Sequence, residues 1–303
     1  MVVAPPAAAA PPGPALAGSA ASRASLTAGV LMVTCAAASW GTWSLFLRPT
    51  GLSAWVICPI MFAIMAVVAF PLTLREPPAH WDRRTVWLLA GNTISDAVNV
   101  ITFFAALQYT TVAIAVLTHY LAPIFIALAA PRIEGTHTRG ARLAAAVALA
   151  GLVIVLEPWR AAADGVLIGA VLGAVSAVAY MCNVFVVRRL AERIGPARVM
   201  SYHSALAAVV MLPFAVSGLA TVSWTDFALL AAGSTTVGAL SGVVFIAGLG
   251  RIGAARSAVL TFAEPLVAVS VGALVWDEPM RPLAAVGGAL ILAAGIGVAR
   301  QGR

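Results

Sequence analysis

Phe103-Phe-Ala-Ala-Leu-Gln-Tyr-Thr-Thr-Val-Ala-Ile-Ala-Val-Leu-Thr-His-Tyr-Leu-Ala-Pro123 and Phe245-Ile-Ala-Gly-Leu-Gly-Arg-Ile-Gly-Ala-Ala-Arg-Ser-Ala-Val-Leu-Thr-Phe-Ala-Glu-Pro265 lie 142 positions apart and align without a gap. Phe103 falls on Phe245, Ala105 on Ala247, Leu107 on Leu249, Ala113 on Ala255 and Pro123 on Pro265. After a two-residue gap the offset becomes 144, matching Glu134 with Glu278, Ala141 with Ala285, Ala145 with Ala289, Ala150 with Ala294 and Gly151 with Gly295. Alanine matches mean little in an alanine-rich chain, but the proline, glutamate, glycine and phenylalanine pairs keep one order. The chain is read as two copies of one unit.

Composition says what that unit is. Of 303 residues, 62% are hydrophobic and 10% charged, and the mean hydropathy is +1.00. Soluble domains carry about 25% charged residues, so this is a polytopic membrane protein. Apolar runs fall at about 26–47, 53–74, 85–107, 112–131, 140–156, 165–187, 198–219, 225–248, 254–276 and 281–299. A span needs about 20 residues to cross roughly 30 Å of hydrocarbon, so the ten runs predict ten transmembrane helices, the fifth of them short. No sizeable soluble domain fits between them. The predicted units are a first five-helix repeat at 25–158 and a second at 164–300, preceded by an Ala/Pro-rich tail, 1–24, whose composition cannot bury a core and which is expected to be disordered. Five is odd, so the second repeat must enter the membrane upside down relative to the first. The predicted fold is all-α, with ten helices in two inverted repeats, an architecture of transporters whose site lies near mid-depth between the repeats.

Charge gives an orientation. All 18 basic residues are arginines. With both termini cytoplasmic, 15 of them lie on inner segments and only Arg48, Arg160 and Arg281 lie outside. Arginines near span ends favour the cytoplasm, so the expected location is a cell (inner) membrane with both termini inside. The pI of about 10.3 then describes topology. A nucleic-acid role is excluded on the same ground, because the arginines are spread over six inner segments and form no basic strip.

The polar residues at mid-depth speak to chemistry. Glu264 sits well inside an apolar run, where an acid costs roughly 2.5 to 3.5 kcal/mol on insertion scales. It either faces a cavity or a partner, or is a hydrogen-bonded packing acid. Pro265 beside it removes a backbone donor, and Pro123 is its equivalent; both are expected helix kinks. Asn92, Ser95, Asp96 and Asn99 follow i, i+3, i+4, i+7 spacing and share one helix face, which points to a cavity or another helix. His119 lies near the centre of the fourth run, at a depth similar to Asp96 and Glu264. Trp40, Trp43, Tyr120, Tyr180 and Asn183 are weaker cavity candidates, since aromatic residues also fill cores and interfaces. Tyr202 and His203 lie near the inner end of the seventh run and read as interfacial anchors. Glu76 reads as a solvated loop acid.

Small residues repeat every fourth position at Gly165, Gly169, Gly173 and Ala177 and again at Ala285, Ala289, Ala293 and Gly297. Such ladders let helices approach closely; packing within the chain is the plain reading, a homodimer through the tenth helix the alternative. Cys35, Cys58 and Cys182 show no paired spacing and read as small buried apolar residues, with no disulfide or metal expected.

The chain resembles the drug/metabolite transporter superfamily, and within it the ten-span EamA-type carriers, over about residues 26 to 299. The resemblance rests on Ser39-Trp40-Gly41 in the first run, the Ala/Leu-rich third and fourth runs with Pro123, Glu264-Pro265 in the ninth, Glu134 and Glu278 after the fourth and ninth, and the Gly151 and Gly295 helices. It implies a central cavity lined mainly by spans 1, 3, 4, 6, 8 and 9, and export of small metabolites or amphipathic compounds, often coupled to protons. Substrate- or proton-binding residues are then expected at Glu264, Asp96, His119, Asn92, Asn99, Trp40, Tyr120 and Tyr180, with a small-molecule substrate, protons and the lipid bilayer as partners and no cofactor. Highly anionic substrates are disfavoured, because no cluster of positive charge lies at mid-depth. An uncoupled facilitator or channel and a membrane sensor stay open. An enzyme is not expected: the acids stand on separate runs with no second acid one turn away, and neither HExxH nor GxSxG occurs.

Overall fold

The computed structural model describes residues 14–135, 140–160, 166–277 and 282–300. Within them the chain is helical throughout, in ten segments: α1 (Ala24–Thr50), α2 (Ala54–Thr73), α3 (Arg83–Ala106), α4 (Ile114–Ile133), α5 (Ala141–Leu156), α6 (Val166–Ile194), α7 (Pro196–Ala215), α8 (Trp224–Ile252), α9 (Ala254–Val275) and α10 (Pro282–Arg300). Nine are long and apolar enough to cross a bilayer, and α5 is the short one, as its run predicts. Its 16 residues rise about 24 Å. Two boundaries differ from the runs. Helix continues upstream of α1 to Pro14, so residues 14–24, expected as tail, are helical; alanine is the best helix former and proline is tolerated at the first position. Helix α6 runs to Ile194, carrying Arg188, Arg189 and Arg193 on its last turns. Glu278, the expected partner of Glu134, lies outside the described residues, as do Gly165, Arg281 and residues 1–13.

The principal helix pairs are α3 with α6, α1 with α8, α2 with α7, α5 with α10 and α4 with α9, and the first helix of each repeat also touches the fourth of the other, as α6 touches α4 and α1 touches α9. Exchanging the two repeats turns α3–α6 into α8–α1 and α6–α4 into α1–α9, and returns the other three pairs to themselves. One hydrogen bond carries the same relation. Ser39 Oγ of α1 lies 2.6 Å from Ser241 Oγ of α8, and Ser176 Oγ of α6 lies 2.8 Å from Asn99 Oδ1 of α3. Asn99 and Ser241 are 142 positions apart, the offset of the aligned segments.

Each fourth helix is broken at mid-length. Helix α4 is interrupted after His119 and resumes at Ala122; α9 is interrupted after Leu260 and resumes at Ala263. Pro123 and Pro265 stand in the first turn of the resumed helices, where a missing N–H costs nothing. Helix α8 carries a different irregularity, a π-helical turn over Ser234–Leu240. At the arginine-rich end the helices are tied by carboxylates. Glu134 pairs with Arg188 at 2.7 Å and reaches the Ala254 N–H that opens α9. Asp82 pairs with Arg193, and the Thr85 N–H, the Thr85 hydroxyl and Arg193 hold its carboxyl well below the usual carboxylate range.

Glu76 is not the solvated acid its loop position suggests. Its carboxylate accepts the Ala197 and Arg198 N–H groups at 2.7 and 3.0 Å, capping α7, and only 12% of its side chain is exposed. Loss of such a cap costs about 1–2 kcal/mol. Glu76→Ala is therefore expected to lower the unfolding temperature of the detergent-purified protein, while Glu192→Ala, on a side chain 60% exposed, leaves it unchanged.

The small-residue ladders part company. Gly169 and Gly173 of α6 pack against Thr110, just before α4, and Thr118 of α4, in the other repeat. Ala285, Ala289, Ala293 and Gly297 of α10 face outward, because α10 meets α5 through its other side, where Gly151 and Gly287 bring the backbones together. The cysteines also divide: Cys58 is buried, whereas Cys35 and Cys182 are exposed on the apolar surface, so burial does not describe them.

Candidate functional site

Between the repeats lies a cavity of about 380 Å³. Helices α1, α3, α4, α6, α8 and α9 line it, as the resemblance implies, and so do α2 through Met61 and Phe62 and α7 through Met200 and His203. Helices α5 and α10 stand outside.

Glu264, Asp96, His119, Asn92, Asn99, Trp40, Tyr120 and Tyr180 all line the cavity, as do Trp43, Asn183 and Pro123. Pro265 is buried behind it. Ser95, on the same α3 face, instead bonds the Asn92 carbonyl of its own helix. Glu264 is part-buried, its open surface turned to the cavity, and its carboxyl interacts with the Tyr120 hydroxyl across the α4–α9 contact. The same break therefore places Tyr120 and Glu264: each begins a resumed half-helix or closes the segment before it.

His119 does not meet Asp96. Its Nδ1 lies 2.8 Å from Ser176 Oγ. Ser176 gives its single proton to Asn99, whose backbone carbonyl and Oδ1 are 3.0 and 2.8 Å away, so Nδ1 of His119 must donate and a neutral ring keeps its Nε2 lone pair free. Phe103 at 4.8 Å and Tyr180 at 5.6 Å flank the ring. Asn183 donates to Asn92 Oδ1 at 3.2 Å, joining α6 to α3 two turns further along.

The partner of Asp96 is His203, whose Nε2 stands 2.9 Å from Asp96 Oδ2. This corrects the anchor reading of His203. The residue lies about 10 Å into α7 from its start, but the cavity reaches it and its ring meets Phe62 in a T-shaped contact at 5.7 Å. Nothing local could have found it: the signal is the facing acid on α3, more than a hundred residues away. Tyr202 keeps the expected place, beside Trp81 at 5.8 Å.

The sequence matches the EamA-like transporter family twice, over residues 27–157 and 167–300. The chain belongs to the EamA-like transporter family. It is 30% identical over 273 residues to a protein from Archaeoglobus fulgidus described as an uncharacterized transporter, covering 88% of this chain and 94% of that one. A crystal structure at 21% identity superposes with a TM-score of 0.78 over 89% of this chain and 97% of the other, which establishes a shared fold. In this EamA-like chain the two family matches coincide with the two halves related by helix pairing, and the cavity lies at their junction. It is a membrane transporter. Its cavity combines two carboxylates, two imidazoles and two phenols with a wall of aromatic, aliphatic and methionine side chains, and no arginine lines it among the described residues.

Proposed function

We propose that this transporter is a proton-coupled exporter of small amphipathic molecules, working by alternating access around the cavity between the repeats. The observation that carries the reading is Glu264. An acid kept at mid-depth, open to a cavity and backed by Tyr120, can hold a proton or bind a substrate group, and holding one hinders the other. Mutual exclusion at one site is the physical requirement for antiport. Asp96, His119, Asn92, Asn99, Trp40, Tyr120 and Tyr180 serve as substrate contacts or helpers in this reading, with Pro123 and Pro265 as the kinks that let the half-helices tilt. The working units are 25–158 and 164–300. Catalysis has no part in the reading.

The test is flux in proteoliposomes under an imposed pH gradient, over a panel of amino acids, metabolites and toxic cations. Uphill accumulation of one class is expected. Purely downhill flux would make the protein a facilitator or channel, and formation of a product an enzyme.

The orientation proposed is both termini in the cytoplasm of a cell with this protein in its inner membrane. What supports it is that Arg188, Arg193 and Arg198 gather with Asp82, Glu76 and Glu134 at the end where α6 meets α7. A cysteine at Glu192, in a variant lacking the three native cysteines, is expected to react with a membrane-impermeant maleimide only after the cells are opened. Labelling of intact cells would reverse the orientation. A homodimer through α10 is supported by the outward Ala285, Ala289, Ala293 and Gly297 face.

A further inference from the structure

The two carboxylates of the cavity keep different company. Glu264 has a hydroxyl beside it, from Tyr120, whereas Asp96 has an imidazole at 2.9 Å. The chain contains no lysine, and no arginine lines the cavity among the described residues, so His203 and His119 are the groups there that can carry positive charge. His119 spends its proton on Ser176 and turns a bare Nε2 toward the cavity. His203 spends its Nε2 proton on Asp96, and its Nδ1 is buried with no hydrogen-bond partner. The 2.9 Å contact with Asp96 is of ion-pair length. The groups around it are Asp96 from α3, the Phe62 ring, T-shaped to the imidazole, and the Cys58 thiol from α2, and the Tyr180 phenol from α6 beside Asp96. Asp96 is the one carboxylate among them.

The charge of the cavity follows by addition. With His203 charged, the Asp96 pair is neutral and Glu264 alone makes the cavity singly negative. With the imidazole gone, Asp96 and Glu264 together make it doubly negative. The wall around them includes Trp40, Trp43, Phe103, Tyr180 and Phe245, and aromatic rings of this kind attract cations and cover apolar bodies. We infer that the cavity accepts a singly charged amphipathic organic cation, and that His203 sets this limit by standing as an internal counter-charge where a second cationic group of the substrate would sit. The inference deepens the carrier reading above and rests on it.

Matched probes separate charge from shape. Benzyltrimethylammonium carries one cationic centre on an aromatic ring, and para-xylylene-bis(trimethylammonium) carries two. Binding to the detergent-purified full chain can be followed by quenching of tryptophan fluorescence, since Trp40 and Trp43 line the cavity. The wild type is expected to prefer the monocation. His203→Asn leaves Asp96 unopposed and is expected to raise the dication-to-monocation affinity ratio by about tenfold or more, the size expected for one unit charge a few ångströms away in a partly desolvated site. Asp96→Asn, which removes the acid in place of its partner, is expected to keep monocation binding and leave the dication weak. That second variant tests the idea even if His203→Asn misfolds. Merely structural roles would weaken both probes together and leave the ratio unchanged.

Failure of wild-type protein to bind either cation, an unchanged ratio in His203→Asn, or an Asp96→Asn protein that loses the monocation or takes the dication as well, overturns the inference. Proton-driven flux separates the two levels. Uphill transport of neutral or zwitterionic solutes without cation binding keeps the carrier reading and sinks this one; cation selectivity that shifts as expected without any proton-driven flux sinks the coupling and keeps His203 as the charge-setting residue.

Discussion

Glu264→Gln is expected to abolish flux driven by a pH gradient while leaving the protein folded and inserted. Glutamine keeps the size of the side chain and its bond to the Tyr120 hydroxyl, but it cannot release a proton. Exchange of substrate for substrate at equal pH on both sides, which needs no proton, should survive better than net uphill transport. The control must be an acid that is solvated in the folded protein. Glu76 fails that requirement because it caps α7, whereas Glu192 meets it, being exposed at the end of α6. Glu192→Gln should leave flux intact. Equal loss in both variants at equal expression would remove the assignment to a buried proton site, and normal proton-driven transport by Glu264→Gln would leave Glu264 as a packing residue beside a break.

Gly41→Val is expected to cost the most in stability. A Cβ at Gly41 would stand 2.5 Å from the Glu264 carbonyl oxygen, 2.7 Å from Val267 Cβ and 2.8 Å from the Ala268 nitrogen. Backbone and β-carbon cannot rotate away, so α1 and α9 must separate, at a cost of about 3 kcal/mol or more when a branched side chain is forced in. The measured outcome should be a fall in expression and unfolding temperature together with loss of transport, because the same contact seats Glu264. Gly250→Val on the exposed side of α8, where an added Cβ meets nothing within 4 Å, is the control and should be tolerated. Tolerance of both would mean that the α1–α9 contact is not close in the working protein.

The physics of the bilayer explains what was legible beforehand. Span count, the short α5 and the two repeats follow from apolar length and from a spaced set of rare residues, both of which are local properties of the string. The stripe of Asn92, Asp96 and Asn99 was legible too, because a lipid-facing polar face is penalised at every position. Partner choice was not. Asp96 pairs with His203 because α3 packs on α7, and His119 with Ser176 because α4 packs on α6, and both depend on helix packing over distances of 57 to 107 residues along the chain. Glu76 was misjudged for a related reason: a loop carboxylate becomes a cap only when another helix starts beside it.

The exchange of repeats that organises the helix pairs bears on the proposed alternating-access cycle. In that cycle a backbone of this kind would have outward-open and inward-open forms that are images of one another, equally populated if the side chains obeyed the same rule. They do not: Ala122 stands where the second repeat has Glu264, and the counterpart of Asp96 falls in the Ser234–Leu240 turn, which contains no acid. One cavity carboxylate on each repeat, at positions that do not correspond, would make the two openings unequal in energy for a charged occupant. Which opening rests lower is then decided by a handful of side chains, while the gradients across the membrane set the direction of net flux.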